Sequence, residues 1–145
     1  RETTADKLDG RGVSEATKNE ITVYRAEARL MRAMAYYYMM DLFGKANFAD
    51  ETTPINSLPE VYDRAQLFAF VESELKDIEG TLVAARQNEY GRADQAVAWM
   101  ILAKIYMNAE VYIGTPMYTE ALTEINKVIG GGFTLLTTRH PCQHG

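Results

Sequence analysis

The chain has 145 residues, 47% hydrophobic and 24% charged, with 15 basic side chains against 20 acidic ones. That is enough apolar material for one core and excludes intrinsic disorder, while 10 Gly and 4 Pro exclude collagen-like and low-complexity sequence. A net charge of -5 argues against nucleic acid as a partner, since phosphate neutralisation needs clustered Lys and Arg.

One cysteine, Cys142, excludes an intrachain disulfide. The longest apolar run, Ala33 to Met40, falls short of the roughly 18 residues of a bilayer helix. The first residues, Arg1-Glu-Thr-Thr-Ala-Asp-Lys7, carry neither a secretory leader nor a Cys for lipid attachment. The chain is therefore expected to be cytoplasmic, or to have its leader outside this segment.

Residues 1–13 are polar, with turn signals at Asp9-Gly10 and Gly12, and read as a loop or frayed end. Ser14 is a candidate cap for a long helix from about Glu15 to Phe43. From Arg25 onward its only non-apolar, non-Tyr positions are Arg25, Glu27, Arg29, Arg32 and Asp41, which predicts a helix covered on most sides. Gly44 supplies the left-handed residue that ends such a helix. The connector 44–62 is long for a helix–helix link and is expected to be ordered.

Asp63 with Gln66 has the spacing of a capping box, and the helix that follows, about 64–86, carries one apolar stripe of Leu67, Val71, Leu75, Ile78 and Leu82. Asn88 to Gly91 makes a turn, and Asp94 caps a third helix, about 95–113, that is again apolar on most sides. Thr115-Pro116 fits the start of a fourth helix running to about Ile129, with Gly130-Gly-Gly ending it. The stretch Phe133-Thr-Leu-Leu-Thr-Thr138 reads as a short strand or extended segment. No strand candidate is strong enough to build a sheet, so the fold class is all-α, as antiparallel helix hairpins.

The first and third long helices overlay at an offset of 70. Ala28, Ala33 and Tyr36 then coincide with Ala98, Ala103 and Tyr106. Small residues at fixed positions let backbones approach, and a Tyr three positions on fills the space beside the contact. With Ala121 on the fourth helix, this is the packing logic of tetratricopeptide-type repeats, against the plainer alternative of any helix hairpin with Ala at close contacts. These seven residues are the expected helix-packing positions.

The stretch Ala26-Glu-Ala-Arg-Leu-Met-Arg-Ala-Met-Ala-Tyr-Tyr-Tyr-Met-Met-Asp-Leu-Phe-Gly44 resembles the first repeat helix of SusD/RagB-family proteins, whose pattern is roughly E-A-R-x-L-R-A-x-x-Y-Y-x-L-x-x-L-F-G. Arg64 to Glu79, Tyr90-Gly-Arg-Ala93, Leu102 to Tyr112 and Tyr118 to Ile129 are similar to later stretches of the family, in family order, over about residues 14–136. The resemblance implies a surface glycan-binding lipoprotein of the Bacteroidetes outer membrane. It implies as partners a SusC-like TonB-dependent transporter and an oligosaccharide, with no catalysis, no cofactor, and membrane attachment only through a lipid anchor outside this segment. In that family the helices are scaffold and much of the transporter contact, while the glycan platform lies largely in loops and a C-terminal portion. The segment alone is thus expected to bind sugar weakly or not at all.

Two departures stand out. The family's Phe-Gly-Asp-x-Pro is here Phe43-Gly-Lys-Ala-Asn47, and residues 137–145 form a tail unlike the family.

Among candidate sites, His140, Cys142 and His144 place three metal-ligand types in five residues, but a structural zinc site takes four ligands, and adventitious binding is the expected reading. Gly130-Gly-Gly follows a helix, whereas phosphate cradles precede one. Asp50-Glu51, near Asn47 and Asn56, lacks the calcium-loop pattern and reads as a solvated loop. Arg25, Arg29 and Arg32 form a stripe that reads as solvated or salt-bridged. Tyr36-Tyr37-Tyr38 diverge by about 100° per residue, so at least one is expected on the surface, where a Tyr beside Arg suits an interface. Phe48, Tyr112 and Tyr118, in loops, are better placed to stack on a sugar. A soluble tetratricopeptide-type adaptor for a peptide is the alternative function. An enzyme ranks third, with no paired carboxylates or activated nucleophile at useful spacing.

Overall fold

The structure is a computed structural model, and it describes residues 3–134. It is mostly helical, in the order α1 (Ala5–Gly10), α2 (Glu15–Phe43), β1 (Lys45–Phe48), β2 (Glu60–Asp63), α3 (Arg64–Ile78), α4 (Gln95–Met107), α5 (Ala109–Ile113) and α6 (Tyr118–Gly130).

α1 occupies the segment expected as a loop. Its polar sequence hides one buried residue, Leu8, and its Asp9 is paired with Lys18 of α2, so tertiary contacts hold a turn that propensity alone would not. α2 begins where Ser14 Oγ accepts from the Thr17 amide (3.3 Å) and ends at Gly44, whose φ of 69° is left-handed. Its buried residues Ala26, Leu30, Ala33, Tyr37 and Met40 step by four and three, a single stripe. Met31, Tyr38, Leu42 and Phe43 are exposed, so the described residues cover α2 on one face and not on most sides.

The connector contains a small antiparallel ribbon, contrary to the expectation of no sheet. β1 and β2 pair as Ala46↔Tyr62 and Phe48↔Glu60, bringing the end of α2 beside the start of α3. The Asp63 carboxylate accepts from the Gln66 amide (2.9 Å), and the Gln66 side-chain oxygen accepts from the Asp63 amide (3.0 Å), completing the capping box. α3 stops at Ile78, earlier than the apolar stripe predicts. The Thr81 and Leu82 amides both donate to the Ile78 carbonyl in a turn that still delivers Leu82 to the core.

α4 is capped by Asp94, which accepts from the Ala96 amide (3.0 Å). The expected single helix 95–113 breaks at Asn108, whose side-chain amide joins its backbone amide on the Lys104 carbonyl and so ends the ladder. α6 starts at Tyr118 behind Met117, not at Thr115-Pro116. Its first residue is tied to α5 through the Tyr118 hydroxyl, which donates to Glu110 (2.8 Å).

α2 packs on α3 and α4 packs on α6. The direction follows from paired side chains: Arg29 meets Asp77 while Tyr36 meets Phe70, so α3 runs antiparallel to α2. Likewise Trp99 meets Glu79 while Tyr106 meets Glu72, so α4 runs antiparallel to α3. Glu79 joins the two pairs, accepting from Trp99 Nε1 (2.6 Å) and Lys127 Nζ (2.8 Å) of α6.

Candidate functional site

The ribbon is fastened to the helices by polar contacts from one side of α2. The Tyr36 hydroxyl accepts from the Ala49 amide (2.8 Å) and donates to the Ala49 carbonyl (3.0 Å). Arg32 pairs with Glu51 in the loop and with Glu74 of α3 (2.8 Å), and Arg29 grips Glu74 through two hydrogen bonds (3.0 and 2.9 Å). Burial alone would raise the Glu74 pKa, but the hydrogen bonds and positive charge of Arg29 and Arg32 outweigh it and hold the carboxyl below its ordinary value. The arginine stripe is therefore salt-bridged at Arg29 and Arg32, while Arg25 donates to the Thr3 carbonyl (3.0 Å). Asp50 is a turn residue: one carboxylate oxygen accepts from the amides and hydroxyls of both Thr52 and Thr53, which lowers its pKa. Among the described residues no group of three or more His, Cys, Asp or Glu is placed to hold a metal.

Between ribbon and α3 lies an aromatic cluster. The Tyr62 and Phe48 rings stack in parallel, with centroids 4.1 Å apart and planes within 2°. Phe70 meets Phe48 edge-on at 4.7 Å, and Tyr36 closes the inner side at 5.2 Å. Arg32 sits 5.5 Å from the centre of the Phe70 ring. Phe48, named from the sequence as a ring a loop can present, is half-buried in this cluster, and Tyr62 is its outer neighbour. A pocket of about 300 Å³ opens on one side, bordered by Phe48, Asp50, Glu60 and Tyr62. A shallow groove of about 480 Å³ opens on the other, bordered by Tyr62, Gln66, Ala69, Phe70 and Ser73. Sequence reasoning misses Tyr62 because it stands directly before a strong helix cap and reads as part of a connector. Its signal is the alternation Val61-Tyr62 on a strand that only pairing reveals.

The other ring candidates are placed differently. Tyr112 is buried, and its hydroxyl donates to Asp41 (2.6 Å); burial and that carboxylate push its pKa up. Tyr118 is exposed at the start of α6. Of the three consecutive tyrosines, Tyr37 is buried, Tyr36 holds the ribbon and Tyr38 is exposed. Tyr38 borders a broad groove of about 590 Å³ among Met34, Val97, Met100, Ile101 and Phe133.

Of the packing positions, Ala33, Ala98, Ala103, Ala121 and Tyr106 are buried. Tyr106 donates to Glu72 (2.8 Å), and burial pushes its pKa up to about 12. Tyr36 is half-buried against the core, while Ala28 is exposed. Ala28 lies two residues from the buried Ala26, a turn of about 200°, and therefore faces away from α3. The offset-70 overlay is matched in burial by Ala33 and Ala103 and not by Ala28 and Ala98. Gly130 closes α6, with Gly132 left-handed at φ 77°. His140, Cys142 and His144 lie outside the described residues.

Packed helix pairs, one of them joined by a clamped ribbon, define a helical-hairpin scaffold. The chain is 40% identical over 121 residues to the starch-binding protein SusD of Bacteroides thetaiotaomicron, covering 83% of this chain and 22% of that protein. It is 34% identical over 97 residues to a SusD-like protein of Bacteroides ovatus, covering 66% of this chain and 17% of the relative. Among solved structures, surface glycan-binding protein A from Bacteroides uniformis superposes with a TM-score of 0.68 at 26% identity, over 90% of this chain and 29% of that one. No family model matches. The chain belongs to the SusD/RagB family and spans about a fifth of the length of the curated relatives it matches.

Proposed function

We propose that this chain is the helical scaffold portion, residues 14–136, of a cell-surface glycan-binding lipoprotein that partners a SusC-like TonB-dependent transporter in oligosaccharide uptake. The observation that carries it is the 40% identity to a starch-binding protein over 83% of the chain. The superposition on a surface glycan-binding protein supports the same reading. In it the protein binds and delivers its ligand without catalysis, and sits at the outer membrane through a lipid anchor. Its half-buried ion pairs and caps serve the scaffold, and exposed α2 residues such as Tyr38, Leu42 and Phe43 suit contact with a protein partner.

The test is a glycan array with the complete gene product, together with affinity purification from the outer membrane of the native host. Retention of one oligosaccharide class and co-purification of a TonB-dependent transporter are expected. Failure of both would overturn the reading. The alternative, a soluble tetratricopeptide-type adaptor, draws on the apolar groove beside Tyr38 and predicts instead a peptide ligand and a soluble pool.

A further inference from the structure

We propose that Tyr62 is a stacking seat for one ring of a neutral sugar. This deepens the glycan-binding reading and rests on it. The ring is covered by Phe48 on one side only, since Tyr62 borders both the 300 Å³ pocket and the 480 Å³ groove while Phe48 borders the pocket alone. The face away from Phe48 is therefore reached from the groove, where Phe70 extends the apolar floor. A pyranose in which axial C–H groups gather on one face fits such a surface, because those hydrogens meet the negative face of the aromatic ring. Its hydroxyls then project in the plane of the sugar, toward the rim.

The rim carries what hydroxyls need. Gln66 spends its side-chain oxygen on the Asp63 amide and keeps its NH₂ group as a donor. Ser73 donates to the Phe70 carbonyl and keeps its oxygen as an acceptor. On the pocket side of Tyr62, Glu60 and Asp50 border the opening. No Lys, Arg or His borders either opening among the described residues, so the electrostatics favour a neutral ligand over a phosphate or an acidic sugar. The seat is also held before any ligand arrives: Tyr36 ties the strand exit at Ala49, and Arg32 and Glu51 tie the loop to α2. Little ordering is left for binding to supply.

The test uses the 145-residue chain, with maltoheptaose and cellohexaose as neutral probes and trigalacturonic acid as the anionic control, read by NMR titration into the millimolar range. Wild type is expected to bind at least one neutral probe and not the control, with shifts at Tyr62 and Gln66. Tyr62→Phe should keep the affinity, and Tyr62→Ala should lose roughly tenfold or more. Glu60→Ala, an exposed change harmless to folding, should weaken binding about twofold to threefold. If Tyr62→Ala binds like wild type, the seat is wrong while the glycan reading stands. Wild type failing to bind either neutral probe would likewise remove the seat, and the array with the complete gene product would then judge the glycan reading by itself.

Discussion

Ala28 and Ala33 lie on one helix and face opposite worlds. Ala33 is fully buried in the α2–α3 core, so Ala33→Leu adds volume where none is free and should destabilise by about 1–3 kcal/mol. Ala28→Leu, on the open face, should stay within about 0.5 kcal/mol. Urea unfolding of the two variants measures the difference, and equal losses would mean that α2 is rotated from its described orientation. The sequence shows alanines at both positions and cannot rank them by identity, because an Ala is compatible with either face. What ranks them is phase relative to Leu30, Tyr37 and Met40, and a helix apolar on most sides hides that phase until packing selects one stripe. Tyr62 is illegible for a different reason: a single ring becomes a surface only once Phe48, on the far side of the loop, is brought beside it by strand pairing.

Element boundaries are readable wherever a local contact sets them. Ser14, Asp63 and Asp94 each cap through their own side chain, and Gly44 ends α2 by its own backbone angle. Gly44→Ala should cost about 1–2 kcal/mol, mainly because φ of 69° strains an L-residue. The new Cβ would lie 3.0 Å from Arg64 Nη2, the end of a side chain able to shift, so contact adds less than the backbone does. Thermal unfolding checks this, and an unchanged midpoint would contradict the left-handed cap. Boundaries set at a distance are not readable. The ribbon consists of two four-residue strands whose partners lie across a loop, and α3 ends before its apolar stripe does because Leu82 reaches the core from a turn.

At the scale of the whole molecule, charge links the halves. Hydrogen bonds from Arg32 hold Glu51 below its ordinary 4.5, and bonds from Thr52 and Thr53 hold Asp50 below 3.8. Burial pushes Glu74 upward, but its two arginines outweigh that effect and leave it depressed as well. A carboxyl depressed in the folded state stabilises above its unfolded pKa, and that contribution is lost as pH falls through the folded value. Stability should therefore be level near neutrality and fall below about pH 4.5, with Glu74→Gln flattening the fall. Far-UV circular dichroism and Trp99 fluorescence should report the same acid midpoint, since Trp99 donates to Glu79 at the junction of both helix pairs. Separate midpoints would mean that the pairs unfold independently.

The register of β1 with β2 also shapes what the chain can tolerate over evolutionary time. The strands close at Phe48 and Glu60, and the tip between them, with Ile55 and Leu58 almost fully in solvent, contributes nothing to the core. Doubling that tip would cost only about 0.6 kcal/mol in closure entropy. The hairpin thus works as a cassette: descendants can rewrite or enlarge its crown, and with it whatever the neighbouring ring meets, while the helices beneath remain as they are.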